Sequence, residues 1–141
     1  MAHPELNSLM TALSPLAEKM LLEFGEFLPY GGYLRANGEI VECGVDDGGK
    51  ENSKSQVLLE ILSASFRKRA ATDDVLAFGL CIDVKVTKPG GDEKIDAIQY
   101  ILEHKDGESI DVFRPYNLDA SGEVVFGSLF SVKAIRRFYP K

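Results

Sequence analysis

From Val75 onward the hydrophobic period is two, and only short turn sequences interrupt it. Leu76, Phe78, Leu80, Ile82, Val84 and Val86 alternate with smaller or polar residues, which reads as one long strand. Pro89-Gly90-Gly91-Asp92 then turns the chain. The runs Ile95 to His104 and Ser109 to Pro115 flank Lys105-Asp106-Gly107-Glu108, whose Asp-Gly pair is a hairpin signal. Ala120-Ser121-Gly122 precedes a last strand-like run from Glu123 to about Phe130. Connections this short cannot carry a parallel crossover, which takes a dozen residues or more. The second half therefore reads as a meander of three or four antiparallel strands, unlike the parallel βαβ unit a P-loop fold needs.

The first 70 residues follow the helical period, apart from one hairpin. Leu6, Leu9, Met10 and Leu13 share a helical face. Ser14-Pro15 reads as a cap followed by proline at a first helical position, so a kink or a second helix is expected there. Leu16, Met20, Phe24, Phe27 and Leu28 continue the apolar stripe beyond it, Pro29 closes the region, and Gly31-Gly32 makes a loop. Tyr33 to Val45 forms a hairpin, with Asn37-Gly38 at the two positive-φ positions of a type I′ turn. Ser53 and Gln56 match a capping box. In the helix that follows, Val57, Leu58, Ile61, Leu62, Ser65 and Phe66 make one apolar face, and Arg67-Lys68-Arg69 oppose the dipole at its end. The expected fold is a single α+β domain over residues 1–141. An antiparallel sheet, N-terminal hairpin plus C-terminal meander, packs with two or three helices in the order α-β-β-α-β-β-β. That element order resembles the roadblock and profilin-like families, and it is similar to the NTF2-like families, where helices precede a long curved sheet. The resemblance is one of fold order and carries no site residues across.

Composition bounds the function. A chain of 141 residues, 45% apolar and 27% charged, builds a core without disulfides or metal staples. Sixteen Lys and Arg against 22 Asp and Glu leave a net charge of −6, which disfavours phosphate neutralisation and hence nucleic acid. Residues 1–74 hold seven cations against twelve acids, and residues 75–141 hold nine against ten, so the acidity belongs to the first half. Cys43 and Cys81 are too few for a disulfide framework. The first residues lack the positive n-region and apolar h-region of a secretion signal, and no run has the length of a membrane span. A cytoplasmic protein with no membrane partner is the expectation.

No motif supplies a catalytic constellation, a metal-ligand spacing or a cofactor site. Gly44-Val45-Asp46-Asp47-Gly48-Gly49-Lys50-Glu51 approaches the P-loop pattern. It has Glu51 where Mg²⁺ needs a hydroxyl, and two acids where phosphates would lie. Asp46, Asp47, Glu51 and Asn52 are oxygen donors without the spacing of a Ca²⁺ loop. His104 reads as a polar residue beside a turn, and Arg136-Arg137-Phe138-Tyr139 as a solvated tail. With Asp106-Gly107 as a two-residue turn, Ile101 would face Val112 and Gln99 would face Arg114 on one side of the sheet. Tyr100 would face Phe113, and Leu102 Asp111, on the other. Large apolar groups then lie on both sides, so each side needs a cover: a helix, a second copy or a ligand.

Two functions fit these observations. The favoured one is a non-enzymatic protein-interaction module, acidic and homodimeric or bound to another protein. The other is a small-molecule binder or simple acid–base enzyme with a pocket between helices and sheet. Its candidate groups are Asp83, Tyr100, His104 and Arg114, with Lys85 and Tyr116 nearby.

Overall fold

The structure, a computed structural model, describes residues 4–44, 55–72, 74–87 and 89–139. Helix α1 (Pro4–Phe24) is followed by strands β1 (Tyr30–Arg35) and β2 (Ile40–Cys43), helix α2 (Ser55–Ala70), and strands β3 (Val75–Thr87), β4 (Lys94–His104), β5 (Ser109–Leu118), β6 (Val124–Phe126) and β7 (Phe130–Lys133). The strands form one antiparallel sheet in the order β2-β1-β3-β4-β5-β6, with β7 also on β5. The class is α+β, with the two helices on opposite faces.

α1 is one helix that runs through Pro15, not two. Its buried residues are Leu6, Leu9, Leu13, Ala17 and Leu21, a single phase from end to end. The stripe expected after Pro15 holds in part: Met20 packs against the core and Phe27 is buried, but Leu16 and Phe24 on the helix and Leu28 beyond it are exposed. An unbroken helix cannot restart its phase, and Leu13 sets where Ala17 and Leu21 point. Gly31-Gly32 lies inside β1 and is not a loop, and Leu13 packs into the notch between Gly32 and its cross-strand partner Gly79. A Cβ on either glycine would stand 2.9 Å from a Leu13 methyl, so only glycine admits this close approach.

On the other face α2 buries Leu58, Leu62 and Phe66 over β1 and β3. Val57 and Ile61, assigned to the same face from sequence, are half-exposed. Phe66 and Phe78 lie 4.8 Å apart between ring centres, and Phe138 and Tyr139 close the cluster at 5.6 and 5.3 Å from Phe78. The C-terminal residues are thus not a solvated tail. Phe138 and Tyr139 are buried, and Arg137 binds Asp111 through both guanidinium nitrogens at 3.0 and 3.2 Å.

Three further expectations change. Asn37-Gly38 does not form a type I′ turn, because among the described residues only glycines have positive φ. The hairpin instead closes between Arg35 and Glu39, with Ala36-Asn37-Gly38 as a three-residue loop. The β4–β5 hairpin does the same around Lys105-Asp106-Gly107, which shifts the pairing by one residue. Tyr100 pairs with Val112, Ile101 with Asp111 and Gln99 with Phe113. The final run is not one strand either. Three residues, Gly127-Ser128-Leu129, stand opposite Arg114 and Pro115, and the path breaks into β6 and β7. Pro115 has no N–H to give the ladder, although its carbonyl accepts the Gly127 N–H at 2.8 Å.

Candidate functional site

The pleat places all four candidate groups on the α1 side of the sheet. Asp83 and Arg114 each pair with Ile98 from opposite sides, which puts them two strand spacings, ~10 Å, apart. Tyr100 is two residues further along β4 and fully buried. His104 lies six residues from Ile98, ~20 Å along the strand, so it belongs to a different end of the molecule.

Tyr100, Arg114 and His104 tie α1 to the sheet, and Asp83 ties β3 to β5. The Tyr100 hydroxyl and the Ser14 hydroxyl are 2.8 Å apart, and burial holds the phenol above its usual pKa. Arg114 donates to Glu18 at 3.2 Å and lies 3.6 Å over the Phe126 ring. Asp83 accepts the Tyr116 hydroxyl at 2.6 Å. Burial raises the Asp83 carboxyl, and the Tyr116 bond and the Phe27 backbone N–H offset part of that rise. Tyr116 is raised as well, by burial and then by its hydrogen bond to the carboxylate beside it. His104 is buried, with Nε2 2.9 Å from Glu5 and Nδ1 accepting the Asp106 N–H at 3.1 Å. It is a turn-side polar residue, as the sequence suggests, and it also anchors the start of α1.

The cysteines stand on opposite faces, Cys81 in the α1 core and Cys43 against the α2 core. They cannot meet across the sheet, and both are free. Burial pushes the Cys81 thiol up to about 12, which removes it as a nucleophile. Among the described residues no three His, Cys, Asp or Glu side chains are grouped to hold a metal ion. The P-loop-like and Ca²⁺-like readings of residues 44–52, and the Ser53 cap, fall largely or wholly outside the described residues.

The feature that stands out lies on the other side of the sheet. α2 reaches β1 and β3, and the C-terminal residues cover the adjoining ends of β3 and β4. Beyond them the outer part of that face carries no helix among the described residues. Phe113 and Phe130 stack there at 5.1 Å, and Val132, Val125 and Leu129 are about half-exposed. At the end of the sheet an open concavity of about 700 Å³ spans both faces: Ile95, Pro115 and Phe130 line it from the α2 side, and Lys85, Asp96 and Tyr116 from the α1 side. A smaller one of about 240 Å³ lies between α2 and Leu80, Ile101 and Arg137. None of Asp83, Tyr100, His104 or Arg114 lines either space. The sequence signal for this surface is Phe113, an aromatic out of phase with the core residue Val112. The run Leu129-Phe130-Ser131-Val132 repeats that signal, and reading it as a strand end hid its meaning.

Comparison with known protein families, with curated proteins and with solved structures finds no match. Among the described residues no helix is long and apolar enough to cross a membrane.

Proposed function

We propose that this chain is a non-enzymatic protein-interaction module whose working surface is the bare outer part of the sheet face. The observation that carries the reading is the half-exposed set Val125, Leu129 and Val132 around the Phe113–Phe130 stack. Half-exposed apolar side chains beside an uncovered aromatic stack are the kind of surface that a partner covers. Of the polar groups that would serve an acid–base reaction, Tyr100, Arg114 and His104 are bonded to Ser14, Glu18 and Glu5 of α1, and Asp83 to Tyr116 of β5. A second reading, a small-molecule binder, is favoured by one observation: the 700 Å³ concavity is within the ~300–1,000 Å³ range of ligand sites.

One experiment separates the two. Isotope-labelled protein is titrated with the low-molecular-weight filtrate and with the macromolecular fraction of a cell extract, and amide shifts are followed. The module reading expects shifts at Phe113, Phe130 and Val132 with the macromolecular fraction alone. Saturable shifts with the filtrate, centred on Asp83, Tyr100 and Arg114 or on the concavity, would replace it with the ligand reading.

A further inference from the structure

The smaller concavity, beside α2, is built from three parts of the chain. Its floor is Leu80 and Ile101, cross-strand partners on the α2 side of β3 and β4. One wall is a single face of α2, since Gln56, Leu59, Ser63 and Arg67 follow one another at helical spacing. Arg137 of the C-terminal segment makes the other wall. At about 240 Å³ the space is below the ~300–1,000 Å³ of whole-ligand sites, and it suits one apolar side chain with a charged end.

The charges around it are not balanced. Arg137 spends both terminal nitrogens on Asp111, at 3.0 and 3.2 Å. Arg67 donates its Nε–H to the Arg137 carbonyl at 2.9 Å, which fixes the guanidinium and leaves its two terminal nitrogens without a partner among the described residues. Glu60, the one carboxylate lining the space, accepts from Gln56 at 3.3 Å. The open fork of Arg67, with the Ser63 hydroxyl one turn back, suits a carboxylate. The sheet ladder then leads from the concavity to the bare face: Leu80 pairs with Ile101, Ile101 with Asp111, and Asp111 with Val132. Ile101 and Val132 are two strand spacings, ~10 Å, apart, a span that about three extended residues cover.

Resting on the interaction-module reading, we infer that the partner docks by its free C-terminus. An apolar last side chain enters the concavity beside α2, its α-carboxylate meets Arg67 and Ser63, and the residues before it cross the Arg137–Asp111 pair to the bare apolar face. Floor, fork and volume select this occupant together. Leu80 and Ile101 take an apolar side chain, Arg67 takes a carboxylate, and the space admits about one residue. A C-terminal residue carries both groups at once. An internal apolar segment brings no charge for Arg67, an acidic side chain brings the charge without the apolar group, and a basic one would meet two guanidinium groups.

Titration of isotope-labelled protein with acetyl-Ala-Val-Ala-Leu, as the free acid and as the C-terminal amide, tests this. The free acid should shift the amides of Arg67, Leu80, Ile101 and Val132 saturably, and the amide should bind about tenfold or more weakly. Arg67→Gln, at an exposed position, should cost the free acid a similar factor while the protein melts as before. Lys68→Gln removes the same charge one residue on, off the concavity, and should change nothing. Acetyl-leucine, which reaches only the concavity, should bind several-fold more weakly than the tetrapeptide. Should Arg67→Gln disturb folding, the comparison of acid and amide on the wild type decides alone. Equal binding of acid and amide, indifference to a folded Arg67→Gln, acetyl-leucine binding as tightly as the tetrapeptide, or no binding up to about 10 mM overturns the inference. None of these results touches the module reading, which falls instead to filtrate shifts centred on Asp83, Tyr100 and Arg114 or on the 700 Å³ concavity.

Discussion

Pro15 has no N–H to offer the Thr11 carbonyl one turn back, and its ring presses on that turn. Both residues are on the exposed side of α1, where water serves the orphaned carbonyl. On the buried side the Tyr30 hydroxyl supplies the repair. It donates to the Leu13 carbonyl and accepts the Ala17 N–H at 3.0 Å, bridging two groups that an undistorted helix would pair directly. This explains why a Ser-Pro pair that reads as a helix start lies inside a helix. Tyr30 is 15 residues away in sequence, and nothing local announces it. Tyr30→Phe should cost about 1–3 kcal/mol in urea unfolding, from two buried backbone groups losing their bridge. The cost should shrink by at least ~0.5 kcal/mol in a Pro15→Ala background, where the ladder can close by itself. Equal costs in both backgrounds would separate the hydroxyl from the proline.

At the scale of elements the three tight hairpins share one solution. Arg35 and Glu39, His104 and Glu108, and Asp119 and Glu123 each close a three-residue loop whose last residue is glycine. Gly38, Gly107 and Gly122 have φ of +94°, +121° and +88°. In the first two, the side chain of the preceding Asn37 or Asp106 accepts the glutamate N–H, at 2.9 and 3.2 Å. The turns were legible in the sequence, but their length was not. Asn-Gly and Asp-Gly suit a two-residue turn as well as the end of a three-residue one. What decides is the sheet. The three-residue loop puts Tyr100 and Leu102 on the same face as Val112 and Ile110, all under α1, whereas the shorter turn would have mixed the sets. Gly107→Ala should destabilise by about 1–2 kcal/mol, since an L side chain is strained at this φ. Gly38→Ala should lose a similar amount. If Gly107→Ala leaves the urea midpoint unchanged, the left-handed position is not held as described.

For the molecule as a whole, the C-terminal residues act as a strap that the charge of Glu103 requires. Glu103 is 1% exposed, and its carboxylate accepts the N–H groups of Arg137, Phe138 and Tyr139 at 2.6, 3.0 and 2.6 Å and the Ser109 hydroxyl at 3.1 Å. Ending the chain at Ile135 would leave that buried charge without its backbone donors, for a loss of about 3–5 kcal/mol. Glu103→Gln should change sign with context: destabilising in the full chain, where its amide would face N–H donors, and stabilising in the shortened one. The same sign in both would show that the strap holds by its aromatic packing alone, a contrast that denaturant unfolding of the four proteins resolves. Arg136-Arg137-Phe138-Tyr139 read as a tail because its partners, Glu103 and Asp111, are more than 20 residues away and look like ordinary strand polar positions.

Local periodicity by itself determined that this chain has two or three amphipathic helices and an antiparallel meander with glycine-containing turns. Those features depend on contacts within a few residues, and the short connections after Val75 leave no room for a parallel crossover. The tertiary structure decided the phase of α1 past Pro15, the hairpin register, the break opposite Pro115 and the fate of the candidate polar groups. Asp83, Tyr100, His104 and Arg114 look available in sequence because their partners Tyr116, Ser14, Glu5 and Glu18 are mostly brought to them from distant elements. The bare apolar face is the same kind of fact. Sequence shows that both sides of the sheet need covers, and only the packing of a 16-residue α2 over β1 and β3 shows which part of one side is left without one.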